Sequence, residues 1–369
     1  MSQKKIKILF TIPNFDTAGS GKVVYDLVNN LDRSIFEPEI CCFHDRGAFI
    51  KEIEKLEVKI HIFPFTINYH PLLSFPFRLI KIIQFFKKHK FDIIHSWHWS
   101  SDFSEPLAAK IAGIKWIMTK KSMGWGNKAW KWRSALSSKI ITINSDMKSF
   151  YSGDTLKKVE AIPLGVDINY YSPQLKNSEI LSEEINIEIN DFVIVSVVNL
   201  IPVKGIEVLI NSVIELDRPN IKLLIVGNDT GEYAEKLKEI AKEYESIQFL
   251  GKKGDVRPFH AIADVFVIPT LALGEGLPVA PLEAMASGKI VIGSNVSGVK
   301  DILKTFPNCL FEPNDVKDLK NSIIKIMNMN QEEHIQLENE MRTLVENEYS
   351  IEKFIENHTE LYKEMNSGN

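Results

Sequence analysis

Two glutamates frame the most informative stretch of the chain. In LGEGLPVAPLEAMASGK (residues 273–289), Glu275 stands before a glycine and a proline, and Glu283 follows eight residues later. Carboxylates only accept hydrogen bonds, so they suit ligands that present hydroxyls. Pro278 fits the first turn of a helix, where its missing N–H costs nothing. The amides of Val279 and Ala280 are then free to hold an anion at the helix N-terminus. Glu283 should lie about five residues into that helix, ~7.5 Å along its axis, while Glu275 stays in the loop on the ligand side. Two carboxylates bracketing an anion site match a nucleotide sugar, with its ribose diol, diphosphate and hexose polyol.

Three other loops carry chemistry of the same kind. In NFDTAGSGK, Gly19 and Gly21 let backbone amides approach an anion before a helix. The third glycine of GxGxxG is missing, so a dinucleotide fingerprint fails there. In VNLIPVKGIEVLI, Lys204 sits just before Gly205 at a helix start, placed to neutralise phosphate as a point charge. In SWHWSSDF, His95 and His98 end a strand, where functional side chains collect. The sequence shows neither Cys/His ligand spacing nor an Asp-x-Asp pair, and no metal is expected.

These loops need a frame. Short β-branched runs (IKILFTI, PEICCF, VKIHIFPF, FDIIHSW, KWIMTK, KIITIN, VEAIPLG) alternate with amphipathic stretches such as 21–31 and 77–90. The pattern restarts with DFVIVSVV, KLLIVG, IQFLG, DVFVIPT, KIVIGSN and NCLFEP. Strand–helix alternation implies parallel sheets with helices on both faces. Two successive runs imply two doubly wound α/β domains, 1–170 and 171–350, with a linker around 162–190. A last helix, about 351–366, has no following strand and is placed to brace the first domain. Ligands of such sheets bind at the carboxyl ends of the strands, so the four loops would meet in a cleft between facing domains.

Composition narrows the class. The chain has 369 residues, 44% hydrophobic and 25% charged, with three cysteines. Cys41 and Cys42 are adjacent, which reads as a reduced, cytoplasmic pattern. The apolar run after the N-terminus is too short for a secretory signal, and nothing is long enough to span a membrane. The net charge of −4 hides an asymmetry. Residues 1–170 hold 25 Lys/Arg against 16 Asp/Glu, and residues 70–139 hold 13 against 3. The first half is expected to meet something anionic.

GEGLPVAPLEAMASGKIVIGSNVSG, with VKGIEVLI, LLIVG, FLG and IPLGVD, resembles the retaining GT-B glycosyltransferases of family four. The resemblance spans nearly the whole chain and is most specific in the second domain. It implies two Rossmann-like domains facing across a cleft, with the terminal helix crossing back. It implies that Glu283 holds the ribose hydroxyls, Glu275 the donor hexose and Lys204 the diphosphate. Gly19 would approach the phosphates from the other domain, and amides of Gly276, Leu277, Pro278 (whose nitrogen has no hydrogen), Val279 and Ala280 would surround the anion site. No metal is used. Two departures stand out. Members commonly carry an arginine where this chain has Asn199, and often a histidine where it has Lys121, next to Lys120. Lys121 is expected to supply the charge missing at Asn199, and His98 is a weaker candidate for contact with acceptor or sugar.

The implied reaction is hexosyl transfer with retention, from a UDP- or GDP-sugar to a glycan or lipid-linked acceptor hydroxyl. The leaving phosphate oxygen would take the acceptor's proton, and the protein would contribute orientation and charge stabilisation. An epimerase of the same architecture, or a binding protein that senses the nucleotide sugar without turnover, would use the same residues. WGNKAWKWRSALSSK could stack bases, but a packed acceptor loop fits it better, and no nucleic acid is expected. The basic stretch FPFRLIKIIQFFKKHK, with Phe75, Phe77, Phe85, Phe86, Trp125, Trp130 and Trp132, leads to an expected reversible contact with an anionic membrane.

Overall fold

The computed structural model describes all residues except 1–3, 17, 175–184, 186, 189, 273–274 and 368–369. Much of the expected linker therefore lies outside the described residues. The chain forms two compact units, 1–164 with 354–369, and 165–353. By contacts the division falls between Leu164 and Gly165.

In the first unit the described strands are β1 Ile6–Thr11, β2 Phe36–Cys42, β3 Ile60–Ile62, β4 Ile93–Ser96, β5 Lys115–Lys120, β6 Lys139–Thr142 and β7 Val159–Ala161. They pair in parallel in the order β3-β2-β1-β4-β5-β6-β7. The second unit holds β8 Phe192–Val197, β9 Ile221–Val226, β10 Ile247–Phe249, β11 Val265–Ile268, β12 Ile290–Ser294 and β13 Leu310–Phe311. Their order is β10-β9-β8-β11-β12-β13, again parallel. All thirteen expected runs become strands. Their continuous apolar character follows from burial on both faces, as in IVIGS of β12, where every residue is buried. The strand order reverses direction beside β1 and β8, so loops after β1, β4, β8 and β11 flank the switch points.

The last helix runs Ile351–Ser367, and from Phe354 onward it belongs to the first unit. Its buried residues are Phe354, His358, Leu361, Tyr362 and Met365, a stripe at helical spacing. The Tyr362 hydroxyl lies 2.6 Å from His95 Nδ1, and Thr119 Oγ1 lies 2.8 Å from His95 Nε2. His95 thus ties strand to helix, and complete burial keeps its ring neutral. It is a structural residue, not a ligand-facing one. All three cysteines are buried free thiols. Among the described residues, no helix is long and apolar enough to cross a membrane.

Candidate active site

In the second unit the candidates gather where β8 and β11 end. Lys204 closes the short 3-10 turn Pro202–Lys204, and Gly205 follows at φ 65° before the helix Ile206–Leu216. A Cβ at Gly205 would lie 2.0 Å from the Pro269 carbonyl oxygen. Only glycine tolerates both the left-handed backbone and that approach. The Leu271 amide donates to the Val203 carbonyl at 2.8 Å, fastening the two loops. The result is an ion pair between Lys204 Nζ and Glu275 Oε1. Thr270 Oγ1 donates to the same oxygen at 3.3 Å. Ser294 Oγ in turn donates to the Thr270 carbonyl at 2.5 Å. Thr270 and Ser294 were not singled out in the sequence, since isolated hydroxyls at strand ends carry no pattern.

The glutamate-bearing helix differs from expectation in its start. It runs Ala280–Ala286 with Val279 as N-cap, and the proline in its first turn is Pro281. Pro278 precedes the cap, because the chain still turns at Gly276 and Leu277. Gly298, at φ 82°, lies so close beneath that a Cβ there would be 2.3 Å from the Gly276 oxygen. Glu283 is the fourth helical residue, in the first turn rather than beyond it. It accepts a hydrogen bond from the Tyr171 hydroxyl; burial and this carboxylate push the phenol above its usual range. Asn199 is exposed just past β8. The two carboxylates therefore each have a cationic or hydroxyl partner within the unit, and these are the group types that a diphosphate and a sugar would exchange with.

In the first unit the structure joins three candidates from separate loops. Lys121 Nζ, after β5, donates to Ser20 Oγ at 2.8 Å and to the Trp97 carbonyl, after β4, at 2.5 Å. Ser20 adjoins Gly19, whose φ −8° and ψ −111° break the helix Ala18–Asn30 near its start. His98 packs edge-on to Phe43 and Phe65, each at 5.7 Å. Burial, with Arg133 and Lys121 nearby, pushes its pKa down to about 3, and Nδ1 has no partner. It is a neutral imidazole at physiological pH. Burial, then Arg133, also brings Lys121 down to about 8. Lys120 is turned away, donating to the Ser122 and Gly124 carbonyls over the Trp125 ring at 3.7 Å.

A buried network that sequence patterns could not reveal holds the 96–103 loop. Glu105, in the helix Ser104–Ala112, accepts from Thr11 Oγ1 at 2.5 Å and Ser96 Oγ at 2.8 Å. Arg133 Nη2 lies 3.5 Å from Glu105 and donates to the His98 carbonyl at 3.2 Å, while Nη1 donates to the Asp102 carbonyl at 2.7 Å. A second cluster, also missed, joins Glu39, His61 and His89, whose potential ligand atoms lie within 4.8 Å of one another. Its carboxylate oxygens are already taken, by Lys7 at 2.8 Å and His61 at 2.5 Å. Burial works to raise the Glu39 carboxyl, but His61 and Lys7 outweigh it and hold it at about 2.

The depressed Lys121 pKa has a measurable consequence. The unfolded chain, with an ordinary lysine, binds more protons between pH about 8 and 10.5. The Lys121 contribution to stability therefore rises with pH across that window, while the three buried thiols, raised by desolvation, pull the other way. Lys120 falls to about 8 as well, and Lys121→Met is expected to lower the slope of stability against pH in that window by removing one of these lysine contributions. Chemical denaturation at several pH values checks this, and an unchanged slope contradicts it.

Two doubly wound parallel sheets, with the terminal helix returning to the first, make the GT-B fold. A glycosyltransferase of Rickettsia africae ESF-5 shares it across the whole of both chains, with a TM-score of 0.88 at 20% identity. Anabaena HepE, solved with UDP-glucose, gives a TM-score of 0.79 at 19% identity, covering 97% of this chain and 100% of its own. The model of Glycosyltransferase Family 4 matches residues 17–170, and that of Glycosyl transferases group 1 matches residues 177–358. The chain is thus a GT-B glycosyltransferase of family 4. It is similar to the UDP-Gal:alpha-D-GlcNAc-diphosphoundecaprenol alpha-1,3-galactosyltransferase of Escherichia coli, 24% identical over 326 residues, which are 78% of this chain and 79% of the relative.

Proposed function

We propose that this protein moves a hexosyl unit, with retention, from a UDP- or GDP-sugar to an acceptor hydroxyl in the building of envelope polysaccharide, lipopolysaccharide or glycolipid. The observation that carries the reading is the Lys204–Glu275–Thr270 group at the ends of β8 and β11, with Glu283 in the first turn of the Ala280–Ala286 helix. Lys204 binds the diphosphate and Glu275 the donor hexose, each giving up its present partner. Glu283 takes the ribose diol, and backbone around Gly276–Ala280 lies along the phosphates. In the first unit Gly19 and Lys121 serve the phosphate side, with Lys121 charged at neutral pH. His98, neutral, is the weaker candidate for contact with a sugar or acceptor. Supporting the donor class are the UDP-glucose bound by the Anabaena neighbour and the UDP-galactose in the Escherichia coli relative's name.

Glutamate and lysine side chains that bind and orient fit a leaving phosphate that accepts the proton itself. Charge on the diphosphate is balanced by Lys204 and Lys121 rather than by a cation. Transfer is therefore expected to persist in EDTA. Incubating the protein with a panel of nucleotide sugars and acceptors, with and without EDTA, checks this by nucleoside diphosphate release and by NMR of the product anomer. Inversion would overturn retention, and loss of activity in EDTA would overturn metal independence. An epimeric nucleotide sugar without transfer would point to an epimerase, and tight binding without turnover to a sensor.

A further inference from the structure

The sequence pointed to a row of aromatics among lysines, but the structure keeps only part of it on the surface. Phe86 is buried, and Phe75, Phe85, Trp125 and Trp130 pack against the core. What remains outside is a smaller set: Leu73 at 92% exposure, Phe77 at 74%, Trp132 at 67%, Leu72 at 65% and Ile80 at 44%. Isolated exposed apolar residues are ordinary, whereas a contiguous group marks an interaction site.

This group is held in place. Leu72 and Leu73 lie in the turn before the helix Phe75–His89. Arg78 donates to the Asn68 and Pro71 carbonyls at 2.9 and 3.1 Å, and the Phe75 amide donates to the Leu72 carbonyl at 3.2 Å. Arg78 thus fastens the turn to its helix. Phe77 and Ile80 continue the same exposed side of the helix. Ring contacts link Trp132 to Phe103 at 6.1 Å and Phe103 to Phe75 at 5.8 Å, so Trp132 borders the same surface.

The exposed charge around it is basic, and the carboxylates of the intervening segment 92–105 (Asp92, Asp102 and Glu105) are partly or fully buried. Lys81, Lys87 and Lys88 are exposed on the same helix, and Lys128 and Lys131 are exposed in the segment that carries Trp132. Segments 58–91 and 106–145 contain no Asp or Glu. We propose that Leu72, Leu73, Phe77, Ile80 and Trp132 insert at the surface of an anionic lipid bilayer, with these lysines on the headgroups. An apolar tip rimmed by lysines is the arrangement of interfacial anchors, in which burial and charge attraction add. The same surface of a second copy is equally basic and would repel it, and a partner presenting an acidic face, including the acidic second half of another copy, would show as a dimer in size exclusion. The inference rests on the reading that the acceptor is carried at the envelope membrane, and it places the acceptor on the lipid side of the first unit.

The test is cosedimentation of the whole chain with phosphatidylglycerol-containing vesicles, at low and high salt, against phosphatidylcholine vesicles. Wild type is expected to sediment with anionic vesicles at low salt and to be released by salt. Leu72→Ser/Leu73→Ser/Phe77→Ser, all exposed, should reduce the bound fraction about tenfold, and Lys81→Glu/Lys128→Glu/Lys131→Glu should abolish the preference for anionic lipid. Both variants should bind nucleoside diphosphate as wild type does, showing an intact fold. Wild type remaining in the supernatant, equal binding to phosphatidylcholine, or full binding by the serine variant overturns the proposal. So does a wild-type dimer in size exclusion that the serine variant abolishes. Vesicle binding without glycosyl transfer would instead sink the proposed reaction and leave this surface standing.

Discussion

Lys204→Ala is expected to weaken nucleoside diphosphate binding by about 10- to 100-fold, and Glu275→Ala to lower kcat by about 100-fold or more with a smaller change in that affinity. The split follows from what each group meets. A lysine on the diphosphate acts equally before and during reaction, so its loss appears in binding. A carboxylate on the hexose fixes the anomeric carbon against the incoming hydroxyl, so its loss appears in turnover. Glu283→Ala should behave like Lys204→Ala, through the ribose. The ion pair adds a complication that the design must absorb. Removing Lys204 leaves Glu275 without its partner beside a Thr270 hydroxyl, and that carboxylate would then repel phosphate. Lys204→Ala/Glu275→Gln separates the two effects and should recover part of the affinity. Calorimetry with nucleoside diphosphate and steady-state transfer rates give both quantities. Unchanged affinity in both Lys204→Ala and Glu283→Ala would overturn the site.

Arg133→Met is expected to destabilise the first unit by about 3–5 kcal/mol, the cost of leaving a buried charge without its partner. Arg133 is 1% exposed and Glu105 is fully buried. Burial raises the Glu105 carboxyl, against the pull of Arg133 and the Thr11 and Ser96 hydroxyls. Without the guanidinium, Glu105 must take up a proton or draw in water. The Asp102 and His98 carbonyls also lose their donor, so the loop carrying His98 loosens. Arg133→Met/Glu105→Gln should recover much of the loss, because the stranded charge is then gone. Urea unfolding of wild type, Arg133→Met, Glu105→Gln and the double variant measures the coupling. Additive losses would show that the pair does not act as a unit.

Much of this was legible in the sequence because it rests on local rules. Strands buried on both faces must be continuously apolar, and each such run became a strand. Lys204 before Gly205, and Glu283 after the turn at Gly276, were readable because glycine and proline constrain backbone nearby. The start of the glutamate helix was misjudged for a similar reason. Two prolines, Pro278 and Pro281, both fit a first turn, and only the packing of Gly276 on Gly298 decides between them.

The aromatic stretch 75–132 shows where local reading stops. Composition gave the lysines and the rings, yet burial depends on which helix face meets the sheet, and five of seven rings turned inward. Contacts between distant residues were beyond any spacing rule: Lys121 on Ser20, Arg133 on Glu105, His95 on Tyr362, and Glu39 with His61 and His89. Sequence by itself determined the fold class and the family and named the candidate donor-side groups, because backbone propensity and apolar pattern act over a few residues. Only the tertiary structure decided which charges are paired, which histidine is neutral for structural reasons and which rings remain exposed, because parallel pairing joins residues separated by whole strand–helix units.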